Sequence, residues 1–192
     1  MDKNKGKNMI LLFSGGKDSA LIAIEHIKKI DCLLHFEYEH PAKEQERNAC
    51  INIYKLLLSY NPKIELKIIS IDICAENLSI GEGKAGARVV PCRNAIMLSI
   101  ASNYAHTKGY TEILYGANHV DQEDYFDCTP NFFNALSVLL DIKITAPLLS
   151  RGKEYTKDLM NSPMFQEISN NTWSCYEPID GKECGQCNSC LQ

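Results

Sequence analysis

The sequence has no long apolar run. Nothing in it approaches the ~20 residues that a helix needs to cross a bilayer, and the polar start from Met1 to Asn8 lacks the apolar core of a secretory signal. Both absences point to a cytoplasmic protein without membrane contact. A basic excess is missing too: 20 lysines and arginines against 24 acidic residues leave a net charge of −4. That argues against a mainly electrostatic grip on a nucleic-acid backbone and favours a small-molecule substrate. There is no internal repeat and no low-complexity tract. With 192 residues, 45% of them hydrophobic, the chain can bury one substantial core. The reducing compartment of a cytoplasmic protein argues against a disulfide framework, so the nine cysteines call for metal binding or ordinary burial.

What is present begins at 9–19, Met-Ile-Leu-Leu-Phe-Ser-Gly-Gly-Lys-Asp-Ser. The apolar run 9–13 has the length of a fully buried strand and stops abruptly at Ser14-Gly15-Gly16, before helical periodicity sets in. Two glycines leave backbone N–H groups bare to curl around an anion. The hydroxyls of Ser14 and Ser19 add donors, and the following helix N-terminus adds partial positive charge. The ligand this predicts is a polyphosphate.

Further along, Ala20, Leu21, Ala23, Ile24 and Ile27 form the apolar stripe of a helix over 18–29. A strand over 32–36 and a helix over 45–60 follow, the latter ended by Asn61-Pro62. The alternating, β-branched stretch 64–71 reads as a strand. From 72 to 91 the glycines Gly81, Gly83 and Gly86 break any period, and a loop this long is either a functional lid or disordered. A helix over 92–108, a strand over 113–115, an aspartate-rich loop over 121–130, a helix over 131–140, a strand over 142–146 and a last helix over 153–161 complete the pattern. Strands alternating with helices imply a Rossmann-like α/β fold, a parallel sheet with helices on both faces. The expected division is a nucleotide-binding domain over 9–162 and a C-terminal segment over 163–192 with little periodicity.

That segment holds Cys175, Cys184, Cys187 and Cys190. A Cys-x-x-Cys pair lets two thiolates converge on one ion, and Gly185 permits the tight turn between them. Four thiolates make a closed zinc site; an iron–sulfur cluster is the competitor, but a stub poor in apolar residues needs a staple more than a redox centre. Cys32, Cys50, Cys74 and Cys92 lack such spacing and read as small core or surface residues, whereas Cys128 lies where a substrate can meet it.

Ser14-Gly15-Gly16-Lys17-Asp18-Ser19 resembles the S-G-G-x-D-S pyrophosphate loop of the ATP pyrophosphatases, whose fold is that of the adenine nucleotide alpha hydrolases. Val90-Pro91-Cys92-Arg93-Asn94 resembles V-P-x-R-N, and Tyr125, Asp127, Cys128 and Phe132 resemble Y-P-D-C-R-x-x-F. Ser174-Cys175-Tyr176 with the three later cysteines is similar to S-C-Y…C-G-x-C-x-x-C. Together they resemble the 7-cyano-7-deazaguanine synthase family over nearly the whole chain.

The resemblance implies a ligase that uses ATP, Mg²⁺ and ammonia to convert 7-carboxy-7-deazaguanine, through an adenylate and an amide, to the nitrile. It implies a four-cysteine Zn²⁺ site, and members of that family are commonly homodimers. Phe13, the 14–19 loop and Gly116 are then expected to hold ATP. Asp18 either coordinates the metal or caps its helix, and Arg93 and Lys153 neutralise phosphate charge where they are not simply solvated. Asn94, Asp121, Tyr125, Asp127, Cys128 and Phe132 are expected at the deazaguanine, although for Phe132, on a helix, core packing is the stronger reading. No glutaminase domain accompanies these motifs, so free ammonia or a separate partner is the expected source.

Departures cluster in the substrate loops. Thr129 stands at a family arginine, Phe126 at a proline, and Tyr38-Glu39-His40-Pro41-Ala42 at Y-G-Q-R-H, with His40 two residues from the family histidine's place. An enzyme that stops at the amide, an ATP pyrophosphatase acting on tRNA, and a nucleotide-binding module without catalysis are the alternatives.

Overall fold

β1 (Met9–Leu12) is buried along its whole length. Its residues alternate between two cores, Ile10 and Leu12 on one side and Met9, Leu11 and then Phe13 on the other. Both faces of the central strand are therefore covered, as an unbroken apolar run demands. The computed structural model describes residues 8–73, 90–119, 122, 125–150 and 152–191, with backbone alone at 150, 152–154 and 188. Most of the expected 72–91 loop, including Cys74, lies outside the described residues.

After β1 come α1 (Lys17–Glu25), β2 (Ile30–Glu37), α2 (Lys43–Leu57) and β3 (Glu65–Ser70). The chain continues through α3 (Arg93–Lys108), β4 (Glu112–Leu114), a 3-10 turn (Phe126–Cys128), α4 (Pro130–Leu139) and β5 (Lys143–Thr145). Four helices follow: α5 (Pro147–Ser150), α6 (Gly152–Met160), α7 (Pro163–Ser169) and α8 (Asn188–Leu191). The five strands are all parallel in the order β3-β2-β1-β4-β5. The chain winds outward from β1 to β3, then crosses to the other side of β1 to build β4 and β5. A crevice opens outside the carboxyl ends of β1 and β4, where the winding reverses.

One core joins α1 and α2 to the sheet through Leu11, Phe13, Leu21, Leu33, Ile53 and Leu57. The opposite core joins α3 and α4 through Ile10, Leu34, Leu98, Ala101, Ile113 and Phe133. Helices on both faces are thus observed as expected. No helix among the described residues is long and apolar enough to cross a membrane.

The stretch from 163 onward, short on periodicity in the sequence, opens with α7. Ser162 Oγ accepts a hydrogen bond from the Phe165 N–H at 3.2 Å and Pro163 occupies the start of the helix, a capping pair that opens a helix without a long apolar period. Phe165 and Ile168 then bury themselves in the same core as α1. Two residues one turn apart anchor a helix of seven.

Candidate active site

At the carboxyl end of β1 the backbone turns through Gly15 at φ 81. A Cβ there would stand 2.9 Å from the Cys50 nitrogen and 3.0 Å from Ala49 Cβ, so both the conformation and the close approach of α2 require glycine. The loop is tied to itself: the Gly16 N–H donates to Ser14 Oγ at 3.3 Å, and Ser19 Oγ donates to the Gly16 carbonyl at 3.0 Å. The two hydroxyls lie 3.3 Å apart. No side chain caps α1, which leaves its first N–H groups open to an anion.

Asp18, in the first turn of α1, accepts a hydrogen bond from Asn118 Nδ2 at 2.9 Å. Burial raises its carboxyl pKa, while Asn118 and Lys17 act the other way. A carboxylate held in this way beside a glycine turn and an uncapped helix start could hold a hard cation. Asn118 comes from the stretch after β4, so the contact spans the point where the winding reverses.

The loop forms one wall of a cleft of about 490 Å³. Other walls carry Tyr38 and Glu46, then Arg93 and Asn94 of α3, then Tyr125, Asp127 and Cys128, and finally Trp173, Ser174 and Tyr176. Arg93 opens α3 directly after Cys92, whose φ is 58, and its Nη1 donates to the Tyr38 hydroxyl at 3.1 Å. Asn94 and Cys128 are buried, Asn94 Nδ2 approaching Cys128 Sγ at 4.0 Å.

Beneath this wall, burial works on several titratable groups. Glu46 Oε2 stands 3.7 Å from His40 Nε2. Burial pushes Glu46 up to about 7, with Arg93 opposing the shift. Burial, helped by Arg93 and His35, brings His40 down to about 4, so the pair is not an ion pair near neutrality. His35 Nδ1 reaches the Phe13 carbonyl at 2.9 Å, and Cys50 Sγ lies 3.1 Å from the same nitrogen. Burial lowers His35 and raises the Cys50 thiol, which makes this neutral pair a prop under the loop.

The sulfur atoms of Cys175, Cys184, Cys187 and Cys190 all lie within 4.8 Å of one another. A tetrahedron with bonds of about 2.3 Å has edges of about 3.8 Å, and the Cys187–Cys190 and Cys184–Cys190 separations are 3.4 and 3.9 Å. The donor set fits one metal ion. The backbone N–H groups of Cys184 and Cys187 point at the sulfurs of Cys175 and Cys184, each at 3.3 Å, as thiolate ligands require. Trp173 joins this cluster to the loop: its backbone N–H donates to the Gly15 carbonyl at 3.0 Å and its ring Nε1 to the Cys175 carbonyl at 2.8 Å.

Of the residues expected at the site, Phe13, Ser14, Gly16, Lys17, Asp18, Ser19, Arg93, Asn94, Gly116, Tyr125, Asp127 and Cys128 line the cleft. Gly15 instead turns its carbonyl to Trp173. Phe132 packs edge-on against Phe126 and Phe133 and does not line the cleft. Asp121 and the Lys153 side chain lie outside the described residues. Thr129, at the family arginine's place, caps α4: its Oγ1 accepts from the Phe132 N–H at 3.4 Å and donates to the Phe126 carbonyl at 2.7 Å. Sequence reasoning missed Tyr38, Glu46, Asn118 and Trp173. Asn118 and Tyr38 follow strands at their carboxyl ends, which is a usable signal; Glu46, inside a polar helical stretch, carries none.

A family model described as "Queuosine biosynthesis protein QueC" matches residues 8–192. Among curated relatives, the "7-cyano-7-deazaguanine synthase" of Buchnera aphidicola subsp. Schizaphis graminum is 30% identical over 96% of this chain and 88% of its own length. That of Picrophilus torridus is 32% identical, covering 95% and 83%. Among solved structures, a 4-thiouridine synthetase in complex with RNA and bound ATP superposes with a TM-score of 0.57 at 17% identity, over 94% of this chain and 46% of that one. At that identity the likeness is one of fold.

Proposed function

The chain belongs to the queuosine biosynthesis protein QueC family, an ATP-dependent enzyme family, and we propose that it converts 7-carboxy-7-deazaguanine to the 7-cyano compound through an adenylate and an amide. A carboxylate oxygen is a poor leaving group, and transfer of AMP makes it a good one. The 14–19 loop and the open N–H groups of α1 receive the departing pyrophosphate. Arg93 and Lys153 neutralise the charge that builds on the transferring phosphate. Asp121 and Asp127 accept hydrogen bonds from the amidine edge of the base, Tyr125 walls the ring, and Asn94 and Cys128 close the pocket behind it. Ammonia displaces AMP to form the amide. A second ATP activates the amide oxygen, which leaves as AMP to give the nitrile.

Mg²⁺ fits Asp18, whose carboxylate Asn118 orients, and would supply positive charge to the phosphates. Zn²⁺ fits the four cysteines, because the sulfurs cluster as they do around a single ion; in a cubane cluster each thiolate binds a separate iron and the sulfurs stand farther apart. The observation that carries the reading is that Arg93 and Asp127, from the family's two substrate motifs, line the same cleft as the 14–19 loop. The test is incubation with 7-carboxy-7-deazaguanine, ATP, Mg²⁺ and ammonium, followed by mass spectrometry. ATP-dependent appearance of amide and then nitrile is expected. Arrest at the amide would point to the cation missing at Thr129, and no ATP-dependent consumption of the acid would sink the substrate.

A further inference from the structure

Amide formation needs ammonia, but near neutral pH ammonia in water is almost wholly the ammonium ion, which has no lone pair to attack with. A group in the cleft that draws in that cation and takes its proton would supply the nucleophile where it is used. Asp18 is engaged by Asn118 on the phosphate side. His35 is turned to the Phe13 carbonyl, and Cys50 is a buried thiol. Glu46 is differently placed. It projects from the first turns of α2, a helix of 15 residues, into the cleft wall that also carries Tyr38 and Arg93. Its side chain is 19% exposed, and its partner among the described residues is His40, at 3.7 Å.

We propose that Glu46 receives ammonium in the cleft and accepts the proton that frees ammonia to attack the adenylate; the proposal rests on the adenylating activity inferred above. The carboxylate and NH₄⁺ become the carboxylic acid and NH₃. The nitrogen lone pair forms the new C–N bond, the C–O bond to AMP breaks with its electron pair leaving on phosphate oxygen, and the nitrogen sheds a second proton to the departing AMP phosphate to give the amide. Burial favours this role, because it sets Glu46 to about 7, where a base is half available and the proton it holds is readily released. The titratable and charged groups around the Glu46–His40 pair are Arg93 from α3, His35 from β2, Glu39 before α2, and Lys43 and Cys50 on α2 itself. Arg93 is the cation among them that keeps Glu46 ionisable.

Two half-reactions separate this role from others. Acid-dependent exchange of pyrophosphate into ATP reads adenylation alone, and amide formation reads the nitrogen step. In Glu46→Gln, kcat/KM for ammonium near neutral pH should fall by about 10²- to 10⁴-fold, the range for loss of a general base, and by far more than the exchange rate falls. The deficit should narrow as pH rises and free ammonia accumulates, and Glu46→Asp should recover part of it. Hydroxylamine, uncharged near neutrality, should react with the Glu46→Gln adenylate nearly as fast as with wild type. Equal losses toward hydroxylamine and ammonium, unchanged ammonium kinetics, or loss of exchange in Glu46→Gln would each overturn the proposal. Absence of exchange in the wild type would overturn the adenylating activity, and the proposal with it.

Discussion

The two ends of the cleft are built by different means. At the proposed phosphate end, contiguous residues 13–19 shape the wall locally: a left-handed Gly15, two serine hydroxyls tied to loop atoms, and an uncapped helix start. At the proposed acyl end, Tyr38, Glu46, Arg93, Asp127 and Tyr176 arrive from four separate stretches of chain. Packing, not local geometry, brings them together. A site encoded in backbone leaves few sequences that can form it, so its motif stays readable. A site assembled from distant side chains can exchange one residue for another, and the departures at Phe126 and Thr129 flank Asp127 in the chain without themselves lining the cleft.

The largest effect should follow from breaking the backbone-coded end. Gly15→Ala forces a side chain into a left-handed turn, at about 1–2 kcal/mol, and drives its Cβ to within 3.0 Å of Ala49 Cβ, at about 1–3 kcal/mol more. Thermal unfolding should show a loss of about 2–5 kcal/mol, and ATP should no longer raise the midpoint. A midpoint still raised by ATP would mean that the loop tolerates the change. Arg93→Met, at the side-chain end, should spare ATP binding and slow acid-dependent pyrophosphate exchange by about 10²- to 10³-fold, as loss of a preorganised charge does. Equal weakening of ATP binding would move Arg93 to the phosphate end.

The cysteine cluster tests whether the two ends are independent. Trp173, the single tryptophan, hydrogen-bonds both the Gly15 and Cys175 carbonyls, so its fluorescence reports on the link. Cys187→Ser should cost about 2–3 kcal/mol, a fall in Tm of roughly 4–12 °C for a chain this size. It should also release metal on assay with a chromogenic chelator and shift Trp173 emission. If emission and ATP affinity stay at wild-type values after the metal is lost, the tail does not support the loop.

This contrast also explains what was legible in the sequence. The sheet, its helices on both faces and the 14–19 loop were readable because each rests on a local pattern: an apolar run, a 3.6-residue period, a pair of glycines. The four cysteines were readable because metal geometry restricts spacing. α7 was missed although Ser162-Pro163 announces it, because its core contribution is only Phe165 and Ile168. Phe132 resembled a substrate contact by motif, yet its place on α4 turns it toward Phe126 and Phe133. Glu46 could not be found at all. A glutamate that is buried only once α2 packs against β2 looks identical, in sequence, to one that is solvated.

The smallest effect sharpens the comparison at the acyl end, where His40 and Glu46 are each held away from their usual ionisation. For Glu46 the folded value is raised from 4.5 to about 7, so the folded state binds the proton more tightly and this contribution is present below pH 4.5 and lost as pH rises through 7. For His40 the folded value is lowered from 6.5 to about 4, so stability is intact above 6.5 and lost as pH falls toward 4. Between 4.5 and 6.5 the two trends oppose each other. Urea unfolding of wild type should therefore vary little with pH in that window on account of this pair. Glu46→Gln removes one partner's trend and leaves the other. Relative to wild type it should gain on the order of 2 kcal/mol between pH 4.5 and 8, and its residual loss on acidification should disappear in Glu46→Gln/His40→Gln. Parallel pH curves for wild type and Glu46→Gln would show that the carboxylate is no more strained in the fold than in water, and would remove the physical reason for singling it out as the base.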